Sequence, residues 1–67
     1  MIPQVGEKVV YHHPGLKSGP APGFAGLQVM EEYIIIGIRK LEGQLWVQLV
    51  DSKGSKIKFA YRYDIFG

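Results

Sequence analysis

The alternation of apolar and polar residues is most regular in the middle of the chain. Residues 33–40 and 45–51 form two runs rich in isoleucine, valine and leucine, and the short segment 41–44, which contains Gly43, joins them. Two apolar, β-branched runs connected through a short glycine-containing turn are typical of a β-hairpin. This hairpin is the strongest structural prediction that the sequence supports.

The first strand of the hairpin, predicted over 32–40, is apolar on both faces. Because successive strand residues point to opposite sides, the two sets are Ile34, Ile36 and Ile38 on one face and Tyr33 and Ile35 on the other. A strand of this kind is normally covered on both sides, so the second cover must come from a loop or from another chain. Gly37 interrupts the strand and predicts a bulge or a sharp bend.

The second strand of the hairpin carries a mixed face. Its alternating sets are Leu45, Val47 and Leu49 against Trp46, Gln48 and Val50. We assign the first set to the core, because the second contains a polar amide and an indole whose N–H needs a partner or water. Trp46 is therefore predicted to lie near the surface.

A first strand is predicted over 7–12, after Gly6, which can adopt a positive φ and redirect the chain. Val9 and Tyr11 share one face of this strand, and Lys8, Val10 and His12 share the other. Residues 27–32 lead into the hairpin, and their periodicity leaves a short strand and a turn both open.

Two elements are predicted after the hairpin. Residues 56–60 alternate as a strand, with Ile57 and Phe59 inward and Lys56 and Lys58 outward. Residues 61–67 fit a single turn followed by a closing edge strand, in which Ile65 or Phe66 plugs the barrel.

Residues 13–26 change composition abruptly, since proline, glycine and serine fill many of these positions. Such a density of helix and strand breakers predicts one long loop. Leu16 and Phe24 are its large apolar residues. They are expected to pin the loop to the barrel, and the alternative is that Phe24 stays exposed as a contact residue.

Together these elements predict an all-β fold, a small five-stranded SH3-like barrel with a long Pro/Gly-rich first loop. A chain of 67 residues allows one domain, 1–67, with a thin core. The chain has no cysteine, so disulfides cannot reinforce it, and oligomerisation remains an option. It shows no signal-peptide pattern and no apolar run long enough for a membrane span, so a cytoplasmic location is expected.

The layout of motifs resembles that of short, mostly uncharacterised SH3-like proteins encoded by bacteriophages and prophages. The similar stretches are Val5-Gly6-Glu7-Lys8-Val9-Val10-Tyr11, the Pro/Gly loop, Tyr33-Ile34-Ile35-Ile36-Gly37-Ile38, Leu45-Trp46-Val47-Gln48-Leu49 and Tyr61-Arg62-Tyr63-Asp64-Ile65-Phe66. This resemblance implies a phage accessory protein without catalytic residues. The segment Val9-Val10-Tyr11-His12-His13-Pro14 is also similar to part of the variable subunit of ferredoxin-thioredoxin reductase, an SH3-like barrel that covers a catalytic subunit.

Candidate chemistry is sparse. His12 and His13 are adjacent in an extended segment and so point to opposite faces, and no carboxylate follows them before Gly26, which argues against a metal site. Ser18 lies in a flexible context and is a poor nucleophile candidate. The loop glycines lack the Gly-Lys-Ser/Thr ending and the following helix of a phosphate-binding loop. We predict a non-enzymatic protein with no cofactor and no metal.

Binding is the remaining class of function. The apolar surplus predicts contact with a protein partner or with other copies of the chain, through Phe24, Trp46, Val50, Tyr61 and Tyr63. An aromatic groove for an extended peptide could draw on Tyr11, Trp46, Tyr61 and Tyr63.

Nucleic acid is the alternative partner. Basic residues lie among aromatic ones, namely Arg39, Lys40, Lys56, Lys58 and Arg62. Cations beside stacking aromatics are how small barrels hold single strands. The formal net charge is only +2, however, which predicts weak electrostatic attraction.

Overall fold

The computed structural model describes residues 2–66, and within them the chain forms four strands. These are β1 (Lys8–Val10), β2 (Glu32–Leu41), β3 (Gln44–Asp51) and β4 (Tyr61–Arg62), and a 3₁₀ helix, Tyr63–Phe66, follows. The strands pair antiparallel in chain order, and the sheet curls into a half-barrel. The all-β prediction is confirmed, although the described residues contain four strands where the sequence predicted five.

The central hairpin agrees with its prediction. Strands β2 and β3 meet at the pair Leu41–Gln44, which leaves a two-residue turn of Glu42 and Gly43. Both turn residues have positive φ, 50° and 80° respectively. A two-residue turn whose twist matches that of the flanking strands requires positive φ at both positions.

A bulge in β2 changes which residues share a face. Ile35 pairs with Leu49 and Gly37 pairs with Gln48, so Ile36 is an extra residue without a partner on β3. The predicted bulge at this glycine is therefore confirmed. The expected grouping of Ile38 with Ile34 and Ile36 is wrong, because the extra residue places Ile38 opposite the fully buried Val47, although Ile38 itself is 38% exposed and does not join the core.

The core lies on the concave side of the sheet. Its buried side chains are Val9, Tyr11, Ala21, Leu27, Val29, Tyr33, Ile35, Val47, Leu49 and Tyr61. The predicted core face of β3 is confirmed at Val47 and Leu49, whereas Leu45 near the hairpin end is half-buried. Val9 and Tyr11 are both buried, and Gly6 has a positive φ, as the sequence predicted.

The long loop forms part of the core. Residues 13–26 contain neither a helix nor a named strand, as predicted. Backbone hydrogen bonds nevertheless fold the segment back on itself, from Ala21 N to Leu27 O at 2.9 Å and from Val29 N to Gly19 O at 2.8 Å. Phe24 pins the loop through an edge-to-face contact with Tyr11 at 5.3 Å between ring centroids, while Leu16 stays exposed.

The predictions for the last part of the chain are largely wrong. The span 56–60 is not a strand, since only Lys56 forms a bridge, with Val50. The next pair joins Val47 to Tyr61. Between these two pairs the segment advances by five residues while β3 advances by three, so two residues of the segment loop outward. Ile57 still packs against the core, but Phe59, predicted inward, is 47% exposed.

The closing element also differs from its prediction. The strand β4 precedes the 3₁₀ helix, whereas the sequence predicted a turn first and an edge strand second. Ile65 and Phe66 lie in the helix and are packed, half-buried, against the core. The predicted edge strand was to end at Gly67, which lies outside the described residues. In the described part of the chain, no helix is long and apolar enough to cross a membrane.

Candidate functional site

Three residues form a row across the outer face of the sheet. Trp46 on β3 pairs with Arg39 on β2 and with Arg62 on β4. Side chains at directly opposite positions project on the same side and lie about 5 Å apart at Cβ. A half-buried indole is thus flanked by two exposed guanidinium-bearing residues.

One depression lies on the β2 side of Trp46. It has a volume of about 290 Å³ and is lined by Gly37, Ile38, Arg39, Leu41, Trp46, Gln48 and Ala60. Gly37 adds no side chain here, and a Cβ at this position would lie 2.9 Å from Oε1 of Gln48. The glycine therefore lets the Gln48 side chain lie close against the backbone of β2.

A second depression lies on the β4 side and shares Trp46 and Ala60 with the first. Its volume is about 490 Å³, and its lining residues are Gly23, Phe24, Ala25, Trp46, Phe59, Ala60, Tyr61, Arg62 and Ile65. Together the two depressions form one surface, which we call the Trp46 groove. It is built by the hairpin, the long loop and the segment that bulges before β4.

The charge of the Trp46 groove is positive. Arg39 and Arg62 line it, and Nζ of Lys58 lies 5.8 Å from the ring centroid of Phe59. Among the described residues that line the two depressions, none is acidic. Arg62 is already paired with Asp64, through bonds of 3.1 and 3.0 Å from Nε and Nη2.

Tyr61 attaches the groove to the core. Its ring is 5% exposed, and its hydroxyl donates a hydrogen bond to the carbonyl of Ala25 in the long loop. Burial, and to a lesser extent the nearby Tyr33, raise the pKa of Tyr61 above its usual value, so the hydroxyl keeps its proton. Gly26, at φ 88°, lies beside this hydroxyl, where a Cβ would approach Oη to 2.7 Å. The loop therefore cannot accept a side chain here without moving.

The structure brings together only part of the predicted protein-binding set. Phe24, Trp46 and Tyr61 all line the Trp46 groove. Val50 pairs with Ile34 and Lys56 and is not among the lining residues. Tyr11, the other candidate for an aromatic groove, belongs to the buried core.

Tyr63 lies in a different place, at the start of the 3₁₀ helix, where it lines a separate depression beside β1. Its hydroxyl donates a 2.6 Å hydrogen bond to Oε2 of Glu7. This bond, followed by burial and the negative charge of Glu7, raises the pKa of Tyr63. This hydrogen bond ties the end of the described chain to the segment before β1.

The predicted basic set is also divided. Arg39 and Arg62 line the Trp46 groove, and Lys58 lies close to it through Phe59. Lys40 pairs with Leu45 and, by alternation, faces the side opposite to Arg39. Lys56 bridges to Val50, away from the groove.

Among the groove residues that sequence reasoning missed are Gly37, Gln48 and Phe59. The first two carried a signal, because a polar residue in an apolar strand opposite a bulge glycine indicates a surface with special packing. Phe59 carried none, since its position depends on the two residues that loop outward before β4.

The two histidines do not contribute to the groove. His12 is exposed, and Nδ1 of His13 accepts a hydrogen bond of 3.3 Å from the backbone N–H of Gly15. No group of three or more potential metal ligands of the His, Cys, Asp and Glu types occurs within residues 2–66.

Comparison of the chain with models of protein families, with curated proteins and with solved structures found no match. Its function is therefore inferred from its own residues and their arrangement.

Proposed function

We propose that this chain is a small non-enzymatic binding module that holds a segment of another polypeptide in the Trp46 groove. The observation that carries this proposal is the concentration of aromatic and arginine side chains on one surface, around the pairs Arg39–Trp46 and Trp46–Arg62. Aromatic residues and arginine are the types enriched at protein interfaces and at their energetic centres.

The exposed apolar area supports the same reading. Leu41 is 49% exposed in one depression and Phe59 is 47% exposed in the other. Exposed apolar residues that are scattered singly need no explanation, but these line two adjoining depressions that share Trp46. Grooves lined by aromatic residues are a common way to hold extended peptides.

We also propose that the half-barrel is of the SH3-like type, as part of a five-stranded plan. The supporting features are the long loop after the first strand, the antiparallel sheet in chain order and the 3₁₀ helix after the last strand. The bridge Val50–Lys56 extends the pairing along β3 beyond the pair Trp46–Arg62. An accessory role in a phage, in the cytoplasm of its host, fits a module of this kind.

Single-stranded nucleic acid is the second candidate. It is favoured by the row Arg39–Trp46–Arg62, because an indole beside cationic side chains can stack a base while the cations contact phosphates. In that case binding to oligothymidine should weaken steeply as salt rises, because phosphate contacts release counterions.

The test is selection of peptides against the immobilised chain from a display library of random peptides of about 12 residues. We expect enriched peptides that no longer bind Trp46→Ala or Phe59→Ala. Phe59 is largely exposed, so its loss should leave the fold intact. Met30→Ala, which removes a 50% exposed side chain outside the groove, is the matched control and should bind as the wild type does.

Peptides that bind all three variants equally, or no enrichment at all, would contradict the proposal. Salt-sensitive retention of oligothymidine that depends on Trp46, without any peptide binding, would replace it with the second candidate.

A further inference from the structure

The polar groups of the Trp46 groove identify the chemistry of its occupant. From them we infer that the groove takes an acidic segment, an extended peptide with a carboxylate close to a large apolar residue. This inference rests on the proposed function, since it names the partner of the same groove. It adds a requirement for negative charge, which aromatic side chains alone would not impose.

The first depression is rich in hydrogen-bond donors. Arg39, Trp46 and Gln48 line it together, and their side chains carry a guanidinium, an indole N–H and a carboxamide. The guanidinium and the indole can only donate, so the ligand group that suits them is an acceptor. A carboxylate fits best, because arginine binds it through two parallel hydrogen bonds.

The bulge shapes the depression that takes that carboxylate. Gly37 adds no side chain to the depression, and a Cβ there would press on the Gln48 amide at 2.9 Å. The bulge also places Arg39, rather than Ile38, opposite Trp46. Space and charge at this spot therefore have a common structural origin.

The distribution of charge favours one carboxylate over a polyanion. Arg62 is neutralised by Asp64, while no ion pair joins Arg39 to a carboxylate within residues 2–66. A nucleic-acid strand would place successive phosphates along the groove and needs several unpaired cations. With one guanidinium engaged and a formal net charge of +2, the chain suits an acidic peptide better.

The apolar part of the occupant has its own place. Phe24 and Phe59 line the second depression, on the far side of Trp46 from Arg39. Neighbouring strands are about 4.8 Å apart, so Arg39 and Arg62 are separated by about 10 Å across the sheet. Alternate residues of an extended peptide are about 7 Å apart, so an acidic residue at Arg39 leaves an apolar residue two or three positions away over Phe59.

The experiment uses the same peptide library and reads the composition of the selected peptides. We expect enrichment of Asp or Glu two or three positions from a large apolar residue. A synthetic consensus peptide is then titrated while Trp46 fluorescence is recorded, because Trp46 is the single tryptophan of the chain. Arg39→Gln should weaken binding about tenfold, the usual scale for a charge-assisted pair.

Lys40→Gln is the matched control. It removes the same charge one residue away, on the other side of the sheet, and should change the affinity less than about twofold. Both side chains are exposed, so both variants should fold. Equal weakening by the two variants would reveal general electrostatic attraction and overturn the inference.

The outcomes separate this inference from the proposed function. Neutral or basic peptides that require Trp46 but not Arg39 would overturn the acidic requirement and leave the binding module intact. If no selected peptide requires Trp46, both proposals fail. Oligothymidine that binds Trp46 and requires Arg39, without peptide binding, would also overturn the inference.

Discussion

Tyr63 shows how one side chain joins distant parts of a thin fold. It lies in the 3₁₀ helix, and its hydroxyl reaches Oε2 of Glu7, which stands just before β1. The two residues are 56 positions apart in sequence. Because the bond needs the protonated hydroxyl, the pKa of Tyr63 is raised in the folded chain. The unfolded chain has no such bond, so its tyrosine ionises near its usual pKa of about 10.

This difference predicts a loss of stability at high pH. Since the folded pKa is raised, the contribution of Tyr63 is complete below about pH 10 and is lost as pH rises through the folded value. The free energy of unfolding should therefore fall from about pH 10 upward, as measured by urea denaturation between about pH 8 and pH 11.

Tyr63→Phe provides the comparison for that prediction. It should be less stable than the wild type at about pH 8 and should lose less stability than the wild type above about pH 10. Tyr61, whose pKa is also raised, stays in both chains, so its contribution cancels. Identical pH dependence of the two chains would show that the hydrogen bond to Glu7 does not contribute.

At the scale of elements, the bulge in β2 decides what faces Trp46. If the pairing of Ile35 with Leu49 continued regularly, Ile38 would lie opposite Trp46. The extra residue Ile36 shifts the register by one, and Arg39 takes that position instead. A single inserted residue thus sets an arginine beside the indole and moves Ile38 out of the position opposite Trp46, although Ile38 stays 38% exposed.

The hairpin turn gives a prediction for stability. Glu42 has φ 50°, in the left-handed region that costs an ordinary residue about 1 kcal/mol. Asparagine tolerates this conformation and is favoured before glycine in such turns. Glu42→Asn should therefore raise the free energy of unfolding by about 0.5 kcal/mol in urea denaturation.

Glu42→Gln separates backbone from charge in that experiment. It removes the same negative charge but has no preference for the left-handed region, so its stability should stay within about 0.3 kcal/mol of the wild type. Equal gains from the two substitutions would assign the effect to charge and contradict the turn assignment.

The elements also differ in how well the sequence predicted them. The hairpin was predicted correctly because its two runs are long, strongly apolar and separated by a glycine turn. The strand over 56–60 was wrong although its alternation is regular, because two residues loop outward where this segment approaches β3. Alternation indicates which side chains share a face only while the ladder stays in register.

The same limit applies to the candidate site. The outward position of Trp46 followed from Gln48 on the same face, and the half-buried indole agrees with it. The neighbours of Trp46 did not follow, because its pairing with Arg39 depends on the bulge, and the place of Phe59 in the same depression depends on the outward loop. Val50 and Tyr63 were grouped with it by residue type, but Val50 pairs with Lys56, and Tyr63 lies in the 3₁₀ helix bonded to Glu7, so both are outside the groove.

At the scale of the whole molecule, the sheet and the long loop enclose the core between them. Leu27 and Val29, which follow the loop, are almost fully buried, so this region covers the concave face of the half-barrel. The outer face of the sheet is buried less completely than the concave face. The second apolar face of β2 stays partly uncovered, because Ile36 is 40% exposed and Ile38 is 38% exposed. The Trp46 groove is the part of this outer surface where aromatic residues and arginines meet.

The most direct test of the groove is a map of backbone and indole N–H chemical shifts in a ¹⁵N-labelled chain, as the consensus peptide from the library is added. The groove predicts changes at Gly37, Arg39, Gln48 and Phe59 and at the indole N–H of Trp46. Residues that line the separate depression beside β1, such as Val10 and Phe66, should not move. Shifts centred on Val10 and Phe66, with the Trp46 indole unchanged, would contradict the assignment of binding to the Trp46 groove.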